Sequence, residues 1–143
     1  MNNLFFVYGT LKWDLGNHGW LHGTDYVGPA RLDGYALYDL PYGFPAMVPQ
    51  DGGKAFGEVY RAPDPEAMRD ALDILESEGR MYDRITVSVD MGGGAMGTAW
   101  AYAWRGELPE GAEIESDGHW YGTARGLPDT FKCTCQPPAD FVY

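Results

Sequence analysis

Basic residues are scarce in this chain. Lys and Arg number 10 against 21 Asp and Glu, giving a formal net charge of −11. Binding of nucleic acid rests on cations that neutralise phosphates, so this balance argues against a nucleic-acid partner. It argues equally against an anionic membrane surface. A small anionic ligand stays open, because a few local donors can outweigh a distant field. Long hydrophobic runs are missing too. No stretch approaches the ~20 apolar residues of a membrane-spanning helix. The opening Met1-Asn2-Asn3-Leu4 has neither the basic segment nor the apolar core of a signal peptide, so the cytoplasm is the expected compartment. Cysteine is limited to Cys133 and Cys135. A structural zinc site takes about four ligands. A disulfide across one intervening residue is strained and closes almost no loop. Two free thiols and no metal site are the expectation. His18 and His22 are four apart but lack a third ligand nearby. No Ser or Cys sits in a nucleophile elbow, and no phosphate loop or dinucleotide fingerprint occurs, so no cofactor is implied.

Glycine, proline and aromatic residues are plentiful. Among 143 residues there are 20 Gly, 10 Pro, 10 Tyr, 6 Phe and 5 Trp. The length suits one compact domain over residues 1–143. The many turn formers imply short elements, and the aromatics favour strands over a helical bundle. Strands are expected at Phe5–Val7, Thr24–Leu32, Gly34–Leu40, Ala55–Arg61, Tyr82–Val89 and Thr98–Trp104. Asp33-Gly34 reads as a hairpin-like turn, and Gly92-Gly93-Gly94 as the turn of a second hairpin. Asn17 could cap a short helix reaching His22. Pro41, Pro45 and Pro49 restrict the stretch between them to an edge or a loop. Asp64–Ser77 is the main helix: Asp64 caps it, Pro65 opens it, and Glu66 suits its positive end. Met68, Ala71, Leu72 and Leu75 share one apolar face, and Gly79 supplies the stop. The pattern as a whole is an α+β domain, a small mixed β-barrel with one main helix packed beside it.

Two segments carry candidate chemistry. In Phe5-Phe6-Val7-Tyr8-Gly9-Thr10-Leu11-Lys12, a buried strand breaks at Gly9, which lets a ligand approach the backbone. Gly9, Thr10 and Leu11 offer successive N–H groups, a possible nest for a carboxylate or an oxyanion. The second segment is the end of the helix. Glu76 sits at the margin of the apolar face, where burial and the negative helix end both raise a carboxyl pKa. A carboxyl tuned toward neutrality suits a general acid/base. Glu78 flanks the other edge of the same face in a continued helix, and helix geometry leaves both open.

Together these segments resemble the γ-glutamylcyclotransferase-like family, in particular its γ-glutamylamine cyclotransferase and plant avirulence-induced (AIG2-like) branch. The resemblance lies in Tyr8-Gly9-Thr10-Leu11, in Leu72-Asp73-Ile74-Leu75-Glu76, and in Tyr82-Asp83-Arg84. Gly57-Glu58-Val59-Tyr60, Phe44-Pro45-Ala46 and Gly118-His119-Trp120 extend it over residues 4–122. It implies cyclisation of a γ-glutamyl amide to 5-oxoproline with release of the amine, and no cofactor. Its spacing implies Glu76 as the catalytic acid/base, with Tyr8, Gly9, Thr10, Leu11 and Tyr82 binding the substrate. The partner implied is a small molecule, and nothing in the sequence demands more than a monomer. A non-catalytic binding module of the same fold is the alternative, and a protein-interaction surface built from the aromatics is a third.

Overall fold

The computed structural model describes residues 2–9, 11–12 and 18–120. Thr10, Asn17, Cys133 and Cys135 therefore lie outside the described residues. The described elements are β1 (Leu4–Val7), β2 (Asp25–Asp39), β3 (Pro45–Arg61), α1 (Pro65–Leu75), β4 (Tyr82–Asp90), β5 (Met96–Trp104) and β6 (Glu113–Ile114). A 3-10 turn, His18–Leu21, precedes β2. Hydrogen bonding runs β3-β1-β5-β4-β2, and β2 pairs back with β3, so five strands close into a barrel. The barrel is mixed: β1 runs parallel to β5, and the other barrel pairs are antiparallel. β6 extends from β2 through Tyr38 and Asp39.

Strand alternation separates the core into two layers. Phe6 of β1 and Tyr8 just after it join Leu32, Met47, Val59, Val87 and Val89 in one cluster. Ala99, Ala101 and Ala103 of β5 belong to the same cluster, and such small side chains fit a narrow five-stranded interior. The intervening residues face outward. Phe5 and Val7 pack with Tyr60, Tyr82, Tyr102 and the fully buried Leu72, which seats α1 on the barrel wall.

The hairpin reading of Asp33-Gly34 changes. β2 is continuous, and Asp33-Gly34 does not reverse the chain. Gly34 has φ +86 and sits at a register shift between Asp33 and Tyr35, a bulge after which β2 goes on pairing with β3. The chain reverses instead at residues 40–44, closed by the Gly43 N–H to the Leu40 carbonyl at 3.3 Å. The proline-containing stretch from Pro45 is an edge, one of the two placements expected for it, paired along one side with Tyr35–Asp39. Proline is compatible with that placement where the other side asks for no ladder donor.

Helix α1 starts as expected. The Asp64 carboxylate accepts from the Ala67 N–H at 3.2 Å, and Pro65 opens the first turn. The stop comes two residues earlier than Gly79. Glu76 is the C-cap, and Ser77 takes the left-handed conformation at φ +50. The Ser77 N–H donates to the Ile74 carbonyl at 3.3 Å, and the Glu78 N–H donates to the Asp73 carbonyl at 2.9 Å. That pair of bonds is a Schellman ending. Gly79 serves the next turn, where its N–H meets the Tyr82 carbonyl at 2.8 Å. Among the described residues no helix is long and apolar enough to cross a membrane.

Candidate active site

A cavity of about 320 Å³ opens where the end of β1, the loop entering β3, the end of α1 and the start of β4 converge. Tyr8 and Gly9 reach it just past the end of β1, and Leu11 from the turn that follows. That turn is closed by the Lys12 N–H on the Gly9 carbonyl at 3.0 Å. Gly43, Phe44 and Pro45 form the facing wall, and Leu75, Glu76, Met81 and Tyr82 complete it with Tyr102 of β5. The volume falls at the small end of the range for ligand pockets.

Gly9 is not among the residues with positive φ. A Cβ there would stand 2.7 Å from Pro45 Cγ. The position is small because the β3 entry packs directly on it, and this close approach narrows the cavity.

Glu76 and Glu78 separate once the helix stops at Leu75. The Schellman turn leaves Glu76 half-buried on the cavity wall and sends Glu78 to the exposed surface. The Glu78 carboxylate there accepts from the Arg84 N–H at 3.3 Å. Burial pushes the Glu76 carboxyl up from 4.5 to about 7.

Three tyrosines surround that carboxyl. Tyr82 donates its hydroxyl to the Pro45 carbonyl at 2.6 Å. Tyr8 donates to the Tyr102 carbonyl, and Tyr102 donates to Asp73 Oδ1 at 2.6 Å. Burial first, and then the neighbouring charge of Glu76 among other groups, raises the pKa of Tyr8 and Tyr82. Burial, followed by Asp73, does the same for Tyr102. All three stay neutral near pH 7, with their protons committed to protein acceptors. A carboxyl raised to about 7 can take up and return a proton near neutrality.

Of the residues singled out in the sequence, Tyr8, Gly9, Leu11, Glu76 and Tyr82 line this one cavity. Thr10 lies between two of them but outside the described residues. Arg84 is not in the lining. It pairs with Asp73 and lies over Trp100, 5.2 Å from the ring centroid. The late Gly118-His119-Trp120 stretch is also outside the lining. The Gly118 carbonyl accepts from the Phe56 N–H at 2.8 Å, and Trp120 Nε1 donates to Asp39 at 2.8 Å, so the stretch is fastened to β3 and β2. The cavity residues missed in the sequence are chiefly Tyr102, Met81 and Leu75. The alternation Trp100-Ala101-Tyr102-Ala103-Trp104 is the signal that would have placed Tyr102 on the α1 side of β5. Among the described residues no group of three or more His, Cys, Asp or Glu is arranged to hold a metal ion.

Comparison with known proteins finds matches over most of the chain. The family described as Gamma-glutamyl cyclotransferase, AIG2-like matches residues 5–125. The gamma-glutamylcyclotransferase family protein YtfP of Escherichia coli is 32% identical over 115 residues, covering 80% of this chain and 93% of that protein. Its counterpart in Citrobacter rodentium is 33% identical over 115 residues, covering 80% and 92%. Among solved structures, an AIG2-like protein from Mus musculus superposes with a TM-score of 0.64 at 26% identity, covering 76% of this chain and 80% of that one.

Proposed function

This chain belongs to the gamma-glutamyl cyclotransferase, AIG2-like family, and on that premise we propose that it cyclises a γ-glutamyl amide to 5-oxoproline with release of the free amine. The observation that carries the reading is Glu76, whose carboxyl is raised to about 7 on the wall of a small cavity shared with the Tyr8-Gly9 turn. The reaction needs little more than such a site. Nucleophile and electrophile belong to one molecule, so the protein mainly folds the substrate into a ring-closing pose.

The steps follow from the groups present. The α-ammonium of the glutamyl unit gives a proton to the Glu76 carboxylate. The amine nitrogen then attacks the γ-carbonyl carbon, closing the five-membered ring. As the old C–N bond breaks, Glu76 returns the proton to the departing nitrogen; the ring nitrogen sheds its second proton to the released amine, which leaves as an ammonium ion, and the carboxylate is regenerated. A group with a pKa near the working pH can serve both steps. The turn Gly9-Thr10-Leu11 binds the substrate carboxylate or the developing oxyanion through its backbone amides. Tyr8 and Tyr82, their own protons committed elsewhere, offer hydroxyl oxygens and ring faces to the substrate. No step calls for a cofactor.

The test is release of 5-oxoproline from a panel of γ-glutamyl amines and γ-glutamyl dipeptides. Stoichiometric 5-oxoproline and amine from at least one substrate supports the reading. Saturable binding of these compounds by folded protein with no product from any of them overturns it, and favours a binding module of the same fold.

A further inference from the structure

The side chain of Glu76 is held by nothing of its own. Among the described residues it has no hydrogen-bond partner, and burial is the cause of its raised pKa. Its place is therefore set by its backbone, which is the C-cap of α1. That ending is not one the local sequence favours. Ser77 occupies the left-handed region at φ +50, where glycine is usual and a side chain is disfavoured. Something outside the turn has to hold it.

Asp73 does so from three directions. Its carbonyl accepts the Glu78 N–H that closes the turn, at 2.9 Å. Its Oδ1 receives the Tyr102 hydroxyl at 2.6 Å. Its Oδ2 pairs with Arg84 Nη1. Arg84 in turn ties the far side of the turn, because its backbone N–H donates to Glu78 Oε2 at 3.3 Å. Its guanidinium lies over Trp100 of β5. The Arg84 Nε is buried without a hydrogen-bond partner, so the guanidinium accepts an unpaired donor to keep its place on Asp73. The helix end is thereby fastened to β4 and β5, the strands that carry Tyr82 and Tyr102.

We propose that Asp73 and Arg84 are positioning residues for the reaction: their ion pair locks the left-handed turn at Ser77 and so fixes where Glu76 presents its carboxyl. This rests on the reading of Glu76 as the acid/base. Groups that must be held closely around a reacting centre depend on such supporting contacts. With the clamp released, the turn relaxes and the Glu76 carboxyl gains water. Its pKa then moves down toward the ordinary carboxyl value. The groups facing it are Tyr8 just after β1, Tyr82 from β4 and Tyr102 from β5, all neutral near pH 7. Asp73 and Glu78 are the charged neighbours on its own segment, and Arg84 the one on β4.

The experiment compares Asp73→Asn and Arg84→Met, each alone and each combined with Ser77→Gly. Glycine enters the left-handed region without penalty, so it holds the turn when the clamp is gone. Two readouts are taken: kcat and KM across pH for 5-oxoproline release, and the Glu76 carboxyl titration by ¹³C NMR. The single variants should lose about tenfold to a hundredfold in kcat with KM within about twofold, a typical cost of removing a supporting contact. Their Glu76 titration should move below the wild-type value. Ser77→Gly should restore most of the kcat and the titration. Loss of kcat with an unmoved titration, or with no recovery from Ser77→Gly, overturns the inference and leaves a merely structural ion pair. Wild-type kcat in both single variants overturns it as well. If Glu76→Gln keeps full turnover, the reading of Glu76 itself has failed. If Glu76→Gln is inactive while the Asp73 and Arg84 variants behave as wild type, only the positioning role has failed.

Discussion

Glu76→Gln should make the protein more stable above neutral pH while leaving it nearly unchanged in mild acid. A carboxyl whose pKa is higher folded than unfolded keeps its proton longer in the folded state. Its favourable contribution is whole below about 4.5 and is lost as pH climbs through about 7. The rise from 4.5 to about 7 converts to about 3 kcal/mol at about 1.4 kcal/mol per unit. Glu76 is only half-buried, so solvent screening lowers this to about 2 kcal/mol. Glutamine has nearly the same shape and no charge to desolvate, so it removes that penalty. In a chain of 143 residues the gain corresponds to roughly 6–10 °C in Tm at pH 8.5. Differential scanning calorimetry of both proteins at pH 5, 7 and 8.5 reads it directly. The gap should be small at pH 5 and widen with pH. A gap that is the same at every pH, or absent at pH 8.5, would refute the claim that Glu76 is held in a desolvated site.

Other expectations follow from the same geometry. For the wild type, kcat/KM should rise through about pH 7 as Glu76 deprotonates, and a flat profile between pH 5 and 9 would contradict this. Tyr82→Phe strips the donor from the Pro45 carbonyl and should cost about 1–3 kcal/mol in urea unfolding. Gly9→Ala drives a methyl to 2.7 Å from Pro45 Cγ. It should cost about 1–3 kcal/mol and raise KM, as measured by steady-state kinetics on the same preparation. Leu72→Ala removes the fully buried anchor of α1 and should cost about 2–5 kcal/mol, with a lower urea midpoint.

What the sequence made legible was whatever local chemistry decides. The Asp64-Pro65 start of α1, the strand ahead of Gly9 and the hairpin around Gly92-Gly93-Gly94 each depend on neighbours in the chain, and each appears as expected. The barrel was inferred from composition and resemblance, and it closes through pairings such as Phe5 with Trp100 that no short window reveals. The β2–β3 pair was misjudged because Asp33-Gly34 looks like a turn. Only the continued register of Tyr35–Asp39 against Pro45–Pro49 makes it a bulge. The Schellman turn was missed for a similar reason. A serine at φ +50 carries no local signature, and its support comes from Asp73, Tyr102 and Arg84 on three different elements. That turn is also what separates Glu76 from Glu78, which helix periodicity alone left equivalent. The cavity partners Phe44 and Pro45 stood in a segment noted for its prolines and its resemblance, and their nearness to Gly9 arises from the barrel's closure.

The central claim is that Glu76, and not its neighbour Glu78, is the group that moves the proton. The most direct measurement is single-turnover formation of 5-oxoproline from the best γ-glutamyl amide, with wild type, Glu76→Gln and Glu78→Gln side by side. The account predicts a loss of at least about a hundredfold for Glu76→Gln, the scale of removing a general acid/base, in a variant that remains folded. Glu78→Gln should stay within about threefold of wild type, since its carboxylate is exposed and accepts from the Arg84 backbone N–H. Full turnover by Glu76→Gln together with its loss in Glu78→Gln would contradict the account.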